Sequence, residues 1–270
     1  MTILAGVIGD PIGHSRSPRL HGHWLRRYGI DGQYVPLHVR PADLEATLRL
    51  LPRIGFAGIN VTLPHKEAVF ALADTVTDRA RSVEAANTLS FRDGGIHADN
   101  TDGIGFIASL RQGAPGWPAD RPAVVLGAGG AARGIVAALL DAGVPHVRIA
   151  NRTAARAEAL AARFPAAEAI AWDATPAALA DCGLLVNTTS LGMAGQPPLE
   201  IALDDLAPEA VVTDIVYAPL VTDLLARAAA RGNPTVDGLG MLLHQAAPGF
   251  AAWFGATPEV DDALRRAVLG

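Results

Sequence analysis

A short apolar run that leads into a glycine-rich loop is the feature that most constrains the fold of this 270-residue chain. Ala123–Leu126 is followed by Gly127-Ala128-Gly129-Gly130-Ala131-Ala132, a G-x-G-x-x-A pattern, and then by a helical stretch ending near Ala142. Glycines in such a loop let the backbone approach a pyrophosphate, which binds at the helix N-terminus. The pattern predicts a Rossmann unit that binds a dinucleotide; an Ala- and Gly-rich helix start without a ligand is the alternative.

Apolar runs alternate with helical patterns along the remainder of the chain, which predicts an α/β fold with parallel sheets. At roughly 150 residues per domain, the length suggests two modest domains or one large one. The order of the patterns is one α/β unit, a second unit that contains the glycine loop, and closing helices. The Gly- and Pro-rich stretch 112–122 is the best candidate for a linker.

Composition excludes several classes of protein. With 50% hydrophobic and 18% charged residues the chain is not intrinsically disordered, and no apolar run reaches the roughly 18 to 20 residues of a membrane span. The segment Met1–Gly9 lacks the basic start of a signal peptide. A net charge of −5 with interspersed signs gives no reason to expect nucleic acid or an anionic membrane as a partner.

Cysteine and histidine usage bears on the compartment and on metals. The one cysteine, Cys182, cannot form an internal disulfide, so a reducing cytoplasm is the simplest interpretation. His21 and His23 diverge on a helix, and neither HExxH nor CxxC occurs. We therefore expect no metal site.

One lysine stands out among the 22 basic residues, because all the others are arginine. Arginine stays charged, whereas a lysine such as Lys66 can release a proton when its surroundings shift its pKa. Asn60 and Thr62 alternate with apolar residues in the predicted strand Gly58–Leu63 just before it, so both lie on one face. This pattern suits a polyhydroxylated substrate and proton transfer from its alcohol. A solvent-facing edge strand with a solvated lysine is the alternative.

Two further polar clusters are candidates for the same site. Asp102 stands where a predicted hairpin leads into a helix; a carboxylate near Lys66 would orient the amine, and N-capping is the alternative role. Ser15 and Ser17 follow the first predicted strand and would hold a carboxylate. Alternatively, Ser17 serves as the N-cap of the helix that Pro18 opens.

The residues after the second predicted strand of the Rossmann unit discriminate between cofactors. NAD sites usually place Asp or Glu there to hold the ribose 2′-hydroxyl. This chain has Asn151-Arg152-Thr153, with Arg156 four residues after Arg152. Two guanidinium groups and a hydroxyl suit a 2′-phosphate, so NADP is favoured. A surface helix start with two solvated arginines is the alternative.

Taken together, these motifs resemble the shikimate dehydrogenase family nearly from end to end. The matching segments are Ile8–Ser15, Asn60–Lys66, Asn87-Thr88, Asn100–Gly103, the glycine loop, Asn151–Thr153, Asn187–Met193, Asp214–Pro219 and Asp237–Gln245. The resemblance implies reversible, NADPH-dependent reduction of 3-dehydroshikimate to shikimate in aromatic amino-acid (chorismate) biosynthesis. It also implies a substrate-binding and catalytic domain (1–102 plus 239–270) with a mostly parallel open sheet, and a Rossmann NADP-binding domain (103–238), closed by C-terminal helices.

The resemblance also assigns roles to individual residues. It implies Lys66 as the general acid in reduction, with Asp102 as its partner. It implies a carboxylate site from Ser15, Ser17 and Tyr217, and ring-hydroxyl contacts from Thr62, Asn87, Asp102 and Gln245 with Asn60 behind them. The implied cofactor-binding residues are Gly127, Ala128, Gly129, Gly130, Ala131, Asn151, Arg152, Thr153, Arg156, Thr188, Ile215, Gly238, Met241 and Asp78.

Other functions remain open at this point. A quinate or quinate/shikimate dehydrogenase is the nearest alternative, although those relatives often have an acidic residue in place of Asn151-Arg152-Thr153. An amino-shikimate enzyme and a catalytically silent NADP-binding sensor are further alternatives; a sensor would have no need of Lys66 and Asp102. We expect a monomer or a homodimer.

Overall fold

A computed structural model of the chain describes residues 2–270. Its strands are β1 (Ile3–Gly9), β2 (Gly32–His38), β3 (Phe56–Val61), β4 (Thr75–Val76), β5 (Thr88–Arg92), β6 (Gly95–Asp99), β7 (Ala123–Leu126), β8 (Val147–Ala150), β9 (Ala167–Ile170), β10 (Leu184–Asn187), β11 (Val211–Asp214) and β12 (Thr235–Val236). Its helices are α1 (Ser17–Arg27), α2 (Leu44–Leu50), α3 (Lys66–Leu72), α4 (Asp78–Val83), α5 (Asp102–Gly113), α6 (Gly130–Asp141), α7 (Ala154–Ala161), α8 (Thr175–Ala178), α9 (Asp223–Ala230), α10 (Gly238–Phe254) and α11 (Asp262–Leu269).

The chain divides into two compact units. The first comprises Met1–Thr101 and Gln245–Gly270, and the second comprises Asp102–His244. The divisions between the units fall at the start of α5 and within α10. The stretch 112–122, predicted as a linker, instead lies inside the second unit. The predicted α/β class with two domains is confirmed. The first predicted strand covers residues 1–9, and its first residue, Met1, lies outside the described residues.

The first unit is built on a mixed sheet with the strand order β2-β1-β3-β5-β6-β4. β1 pairs in parallel with β2 and β3, and β4 with β6, whereas β5 is antiparallel to both β3 and β6. The predicted hairpin is present as β5–β6, and its turn at Asp93-Gly94 has two positive φ values, 52° and 75°. Such a turn matches the twist of the paired strands, which is why an Asp-Gly pair is a strong hairpin signal.

The spacing of the apolar residues Leu44, Leu48 and Leu51 predicts one helix over 41–54, but the structure interrupts it. α2 covers only Leu44–Leu50 and is flanked by 3₁₀ turns at Pro41–Asp43 and Leu51–Ile54. Pro52 has no N–H to continue the α-helical ladder, and Gly55 ends the segment at a φ of 93°. The apolar residues still do what the pattern predicts, because Leu44, Leu48 and Leu51 are all buried in the core.

An aromatic cluster in the first unit contains a fully buried histidine. His21 of α1 stacks on Tyr34 of β2 with centroids 3.8 Å apart and planes 2° apart, and it also contacts Trp24, Phe250 and Trp253. Among the described residues neither ring nitrogen has a partner of regular hydrogen-bond geometry. Burial lowers the pKa of His21 to about 3, and the nearby Asn60 amide offsets this only in part.

The buried histidine predicts an acid-sensitive fold. The unfolded chain protonates His21 near pH 6.5, whereas the folded protein resists protonation until about pH 3. Between those values the unfolded state binds the extra proton, so the free energy of unfolding falls as the pH falls, by up to roughly 1.4 kcal/mol per pH unit. His21→Phe should therefore flatten the pH dependence of urea unfolding between pH 7 and pH 4.5. His14→Gln, at an exposed position, should leave it steep. Parallel profiles for wild type and His21→Phe would contradict the prediction.

The second unit has an all-parallel sheet in the order β12-β11-β10-β7-β8-β9. Numbered within the unit, this is the 3-2-1-4-5-6 order of the Rossmann fold, read from β9 to β12. Alternate residues of β7 enter two different cores: Ala123 and Val125 pack towards α5 and α6, whereas Val124 and Leu126 pack towards α9. Both faces of the sheet are thus covered, as the continuous apolar strands predict.

No helix within residues 2–270 is long and apolar enough to cross a lipid bilayer.

Candidate active site

The glycine loop lies where a Rossmann sheet binds its ligand. β7 and β10 are neighbours from which the strand order runs outward in opposite directions, so a crevice opens at their carboxyl ends. Gly127 follows β7 with a φ of 107°, and a Cβ there would come within 2.5 Å of the Thr188 hydroxyl oxygen. Cβ atoms at Gly129 and Gly130 would meet nothing within 4 Å. The space beside Gly129 and Gly130 at the N-terminus of α6 is therefore open to a ligand.

Several predicted cofactor-binding residues of the second unit are brought together beside this loop. The Thr188 hydroxyl donates to the Leu126 carbonyl (2.6 Å), which links the end of β10 to the end of β7. A Cβ at Gly238 would come within 2.4 Å of the Ile215 backbone, so α10 begins in direct contact with the segment after β11. Ile215 and Met241 pack, partly buried, against the same core cluster as Ala128 of the glycine loop.

A buried carboxylate that the site prediction does not include supports this end of the sheet. Asp214, the last residue of β11, accepts hydrogen bonds from Asn187 Nδ2 (3.0 Å), the Val216 N–H (3.0 Å) and the Thr222 hydroxyl (2.8 Å). Burial raises the pKa of the Asp214 carboxyl, and these three bonds oppose the rise. Asp214 thereby fixes the chain on either side of Ile215.

The predicted 2′-phosphate site lies at the end of β8. Asn151 follows the strand and its Nδ2 donates to the Thr153 carbonyl (2.9 Å), while Arg152, Thr153 and Arg156 are exposed. Thr153 occupies the N-cap position of α7 but its side chain makes no capping hydrogen bond. An exposed hydroxyl and two exposed guanidinium groups around a helix N-terminus form a site of the right charge for a phosphate.

In the first unit the lysine begins a helix beside two paired strands. Lys66 is the first residue of α3 and is half-buried. Its backbone carbonyl accepts from the Ala86 N–H (2.9 Å), and the preceding His65 ring is anchored to the Val39 carbonyl (2.6 Å). Thr62 lies against Gly9, where a Cβ would approach the Thr62 methyl to 2.6 Å. The start of α3 is thus hydrogen-bonded to two surrounding segments and packed against a third.

A buried network of amides and hydroxyls adjoins the lysine helix in sequence and space. Asn60 of β3 donates through Nδ2 to the Asn87 carbonyl (3.1 Å) and to the Thr88 hydroxyl (3.2 Å). Asn87 Oδ1 accepts from the Thr101 N–H (2.9 Å), and Asn87 Nδ2 donates to Gln245 Oε1 (3.1 Å). The structure therefore brings together three of the predicted substrate-binding residues, Asn60, Asn87 and Gln245.

Ser17 does not serve as the N-cap of α1. The N-cap position is Arg16 and carries no side-chain capping bond, so that alternative is wrong. Instead Ser17 is buried, its N–H donates to the Ser15 hydroxyl oxygen (3.3 Å), and its side chain lies near the Tyr34 hydroxyl. The helix starts at Ser17 itself, one residue before the predicted start at Pro18. The Ser17 hydroxyl is therefore not needed for capping.

The other predicted site residues are distributed over both units. Asp102 is buried at the first position of α5, and Tyr217 is half-buried in the segment after β11; both belong to the second unit. Asp78 is exposed at the start of α4 in the first unit, and its cofactor role stays a prediction. Within the described residues, no group of three or more His, Cys, Asp or Glu side chains is placed to hold a metal ion.

Sequence reasoning missed Tyr34, Thr88, Thr101 and Asp214 as parts of the site. Thr88, Thr101 and Asp214 all belong to the matched motifs. The sequence therefore pointed to their segments, but not to the hydrogen bonds that these side chains make. Tyr34 gives no such signal, because a tyrosine in a strand is ordinary and its hydrogen bonds reach residues distant in sequence.

The fold and the open glycine loop define a protein whose second unit belongs to the dinucleotide-binding Rossmann class. Comparisons with known proteins then narrow the class. Three family models match in chain order: the shikimate dehydrogenase substrate binding domain over residues 7–89, shikimate / quinate 5-dehydrogenase over 115–194, and the shikimate 5′-dehydrogenase C-terminal domain over 238–269. The chain belongs to the shikimate dehydrogenase family.

Individual relatives are similar over nearly the whole chain. The shikimate dehydrogenase (NADP(+)) of Paracoccus denitrificans is 63% identical, with 98% of this chain and 95% of the relative covered. Among solved structures, a quinate dehydrogenase from Corynebacterium glutamicum in complex with NAD is 31% identical, with a TM-score of 0.92 and 99% of both chains covered. A shikimate 5-dehydrogenase from Thermus thermophilus in complex with NADP(H) and shikimate is 37% identical, with a TM-score of 0.88 and 99% and 100% coverage.

Proposed function

We propose that the protein is an NADP-dependent oxidoreductase that reduces 3-dehydroshikimate to shikimate, reversibly, in aromatic amino-acid biosynthesis. The observation that carries the proposal is the one lysine of the chain, Lys66, held at the start of α3 beside a buried network of neutral amides and hydroxyls. Such a network suits a polyhydroxylated ring, and a lysine suits proton transfer to its carbonyl oxygen. The similarity to relatives named shikimate dehydrogenase (NADP(+)) supports the same reaction.

The first unit supplies the substrate site in this proposal. Ser15 and Ser17 bind the substrate carboxylate, and the family resemblance alone adds Tyr217 to this role. Thr62, Asn87 and Gln245 bind the ring hydroxyls from the first unit, and Asn60 supports Asn87 from behind through its bond to the Asn87 carbonyl. The family resemblance adds Asp102 to the ring-hydroxyl contacts. Neutral donors and acceptors bind hydroxyls without the desolvation cost of placing extra charges in the site.

Lys66 has the central chemical role. NADPH, when bound, supplies the hydride that reduces the substrate ketone. Negative charge then develops on the carbonyl oxygen, and the Lys66 ammonium stabilises that charge and donates a proton to the oxygen. In the reverse direction the neutral amine accepts the alcohol proton. On the family resemblance, Asp102 is the proposed partner of Lys66.

The second unit fits NADP. The open N-terminus of α6, with Gly127 to Ala131, takes the pyrophosphate, and Thr188, Ile215, Gly238 and Met241 border the nicotinamide. Asn151, Arg152, Thr153 and Arg156 take the 2′-phosphate; all but Asn151 are exposed there, and no acidic side chain occupies that turn. Asp78 is proposed as a further cofactor contact on the family resemblance alone.

Quinate oxidation with NAD is the second candidate, because a quinate dehydrogenase solved with NAD shares the fold at a TM-score of 0.92. Initial rates with shikimate and quinate, each with NADP⁺ and NAD⁺, separate the two. We expect strong turnover with shikimate and NADP⁺ and weak turnover in the other three combinations. Comparable quinate turnover, or a preference for NAD⁺, would place the protein in the catabolic branch. Tight NADP⁺ binding without turnover would instead identify a sensor.

The remaining proposals concern the protein's surroundings. We propose a cytoplasmic location, because the one cysteine, Cys182, cannot form an internal disulfide and is buried. We also propose that the protein acts as a monomer or homodimer on a small-molecule substrate, without nucleic acid or a membrane as partner.

A further inference from the structure

Tyr34 of β2 lies between the two groups of residues to which we assign the substrate. Its hydroxyl donates to Asn60 Oδ1 (2.7 Å), and the Ser17 side chain lies close enough to the same hydroxyl to offset part of the rise that burial causes in its pKa. Ser17 in turn binds the Ser15 oxygen through its N–H. One buried phenol is therefore bonded to the amide network of β3 and β5 and lies beside the serine loop before α1, and Tyr34 itself is only 7% exposed.

The orientation of each amide in the network follows from two backbone groups. The Asn87 carbonyl can only accept, so Asn60 presents Nδ2 to it and turns Oδ1 towards Tyr34, whose hydroxyl must then donate. The Thr101 N–H can only donate, so Asn87 presents Oδ1 to it and Nδ2 to Gln245 Oε1. Gln245 consequently turns its carbonyl towards Asn87, which fixes the side of the amide on which its N–H groups lie.

Thr88 closes the network between the two asparagines. Its hydroxyl accepts from Asn60 Nδ2 (3.2 Å) and donates to Asn87 Oδ1 (3.0 Å). If the Asn60 amide were rotated so that Oδ1 and Nδ2 exchanged places, Thr88 would lose the hydrogen bond from Nδ2. The Thr88 hydroxyl would then turn, and its bond to Asn87 Oδ1 would change as well. Burial also raises the pKa of Tyr34 well above its usual value, so its hydroxyl remains a donor throughout the range in which the enzyme works.

We propose that Tyr34 is a positioning residue for the reaction, which holds the serine loop and the Asn60–Asn87–Gln245 network in the orientation that binds the substrate ring. The inference rests on the proposed function, because it concerns the same substrate site. Tyr34 acts through its hydrogen bond to Asn60. It also stacks on His21, which holds the phenol ring in place from one face.

Tyr34→Phe tests the inference, since it keeps the ring and the His21 stacking and removes the hydroxyl. Asn60 Oδ1 then loses its donor, and kcat/KM for shikimate should fall about tenfold while KM for NADP⁺ stays within twofold. Tyr28→Phe is the matched control in the same unit; it removes a hydroxyl that accepts from the Glu259 N–H and should leave both parameters unchanged. Thr88→Val, which removes the hydroxyl on the other side of Asn60, should resemble Tyr34→Phe.

A double-mutant comparison separates positioning from general destabilisation. In an Asn60→Ala background, Tyr34→Phe should cause less than a twofold further loss, because most of its effect passes through Asn60. A full tenfold loss in that background, or Tyr34→Phe kinetics within twofold of wild type, would overturn the inference. Thermal unfolding of each variant confirms that the folded protein is assayed. Failure of the wild type to oxidise shikimate would refute the proposed function, whereas wild-type turnover with an unaffected Tyr34→Phe variant refutes the role of Tyr34 alone.

Discussion

Replacement of Lys66 by alanine is expected to lower kcat for shikimate oxidation by about 10²-fold or more, with a smaller effect on KM. General acid–base groups typically contribute factors of this size, and a group that acts in the transition state affects kcat more than ground-state binding. Lys66 begins α3 and is held there by the Ala86 and His65 contacts, so removal of the side chain should leave the helix in place. Initial rates under saturating NADP⁺ measure the effect.

Two companion measurements show whether proton transfer is what has been lost. Lys66→Arg should also be nearly inactive, because arginine keeps the charge but does not release its proton in the working range of pH. The affinity for NADP⁺, measured by nucleotide titration without substrate, should stay within twofold in both variants. A Lys66→Ala variant within threefold of the wild-type kcat would remove Lys66 from the mechanism.

The second large effect is expected at the end of β8. The double variant Arg152→Gln/Arg156→Gln should lower kcat/KM for NADP⁺ by about 10²-fold, because a charged hydrogen bond contributes roughly 1.5–3 kcal/mol and each 1.4 kcal/mol is a factor of ten. NAD⁺ lacks the 2′-phosphate, so its kcat/KM should change by less than threefold. The ratio of the two specificity constants is the quantity to measure.

Salt and a matched arginine provide the controls for this experiment. Arg53→Gln removes an exposed arginine of the first unit and should leave the ratio unchanged. The preference of the wild type for NADP⁺ should weaken as salt rises, because the exposed guanidinium groups are screened. Equal losses for NADP⁺ and NAD⁺ would show that the arginines support the fold and do not recognise the phosphate.

The parts of the fold that could be predicted from sequence are those that local chemistry determines. The turn at Asp93-Gly94, the glycine loop before α6 and the apolar strand β8 each carry their signal within a few residues. The elements that were missed, such as β4, β9 and β12, are two to four residues long and depend on the neighbouring strands of the sheet. The antiparallel insertion of β5 between β3 and β6 likewise follows from long-range pairing.

In the candidate site, too, some residues could be identified from local sequence and others could not. Lys66 was identifiable because it is unique in composition, and the glycines because their pattern has a mechanism. Tyr34 and Asp214 could not be identified, because their roles depend on partners such as Asn60, 26 residues away, and Asn187, 27 residues away. A single sequence carries no information on which polar residues of different strands meet.

The half-buried position of Lys66 at the start of α3 has a practical consequence for spectroscopy. Since the chain holds one side-chain amine, reductive methylation with ¹³C-formaldehyde would label a single side chain besides the terminal amino group. The dimethyl-lysine resonance would then report on the protonation of that amine in the intact protein, without assignment of any other signal. Addition of shikimate or NADP⁺ to such a sample would show directly which ligand changes the environment of the amine.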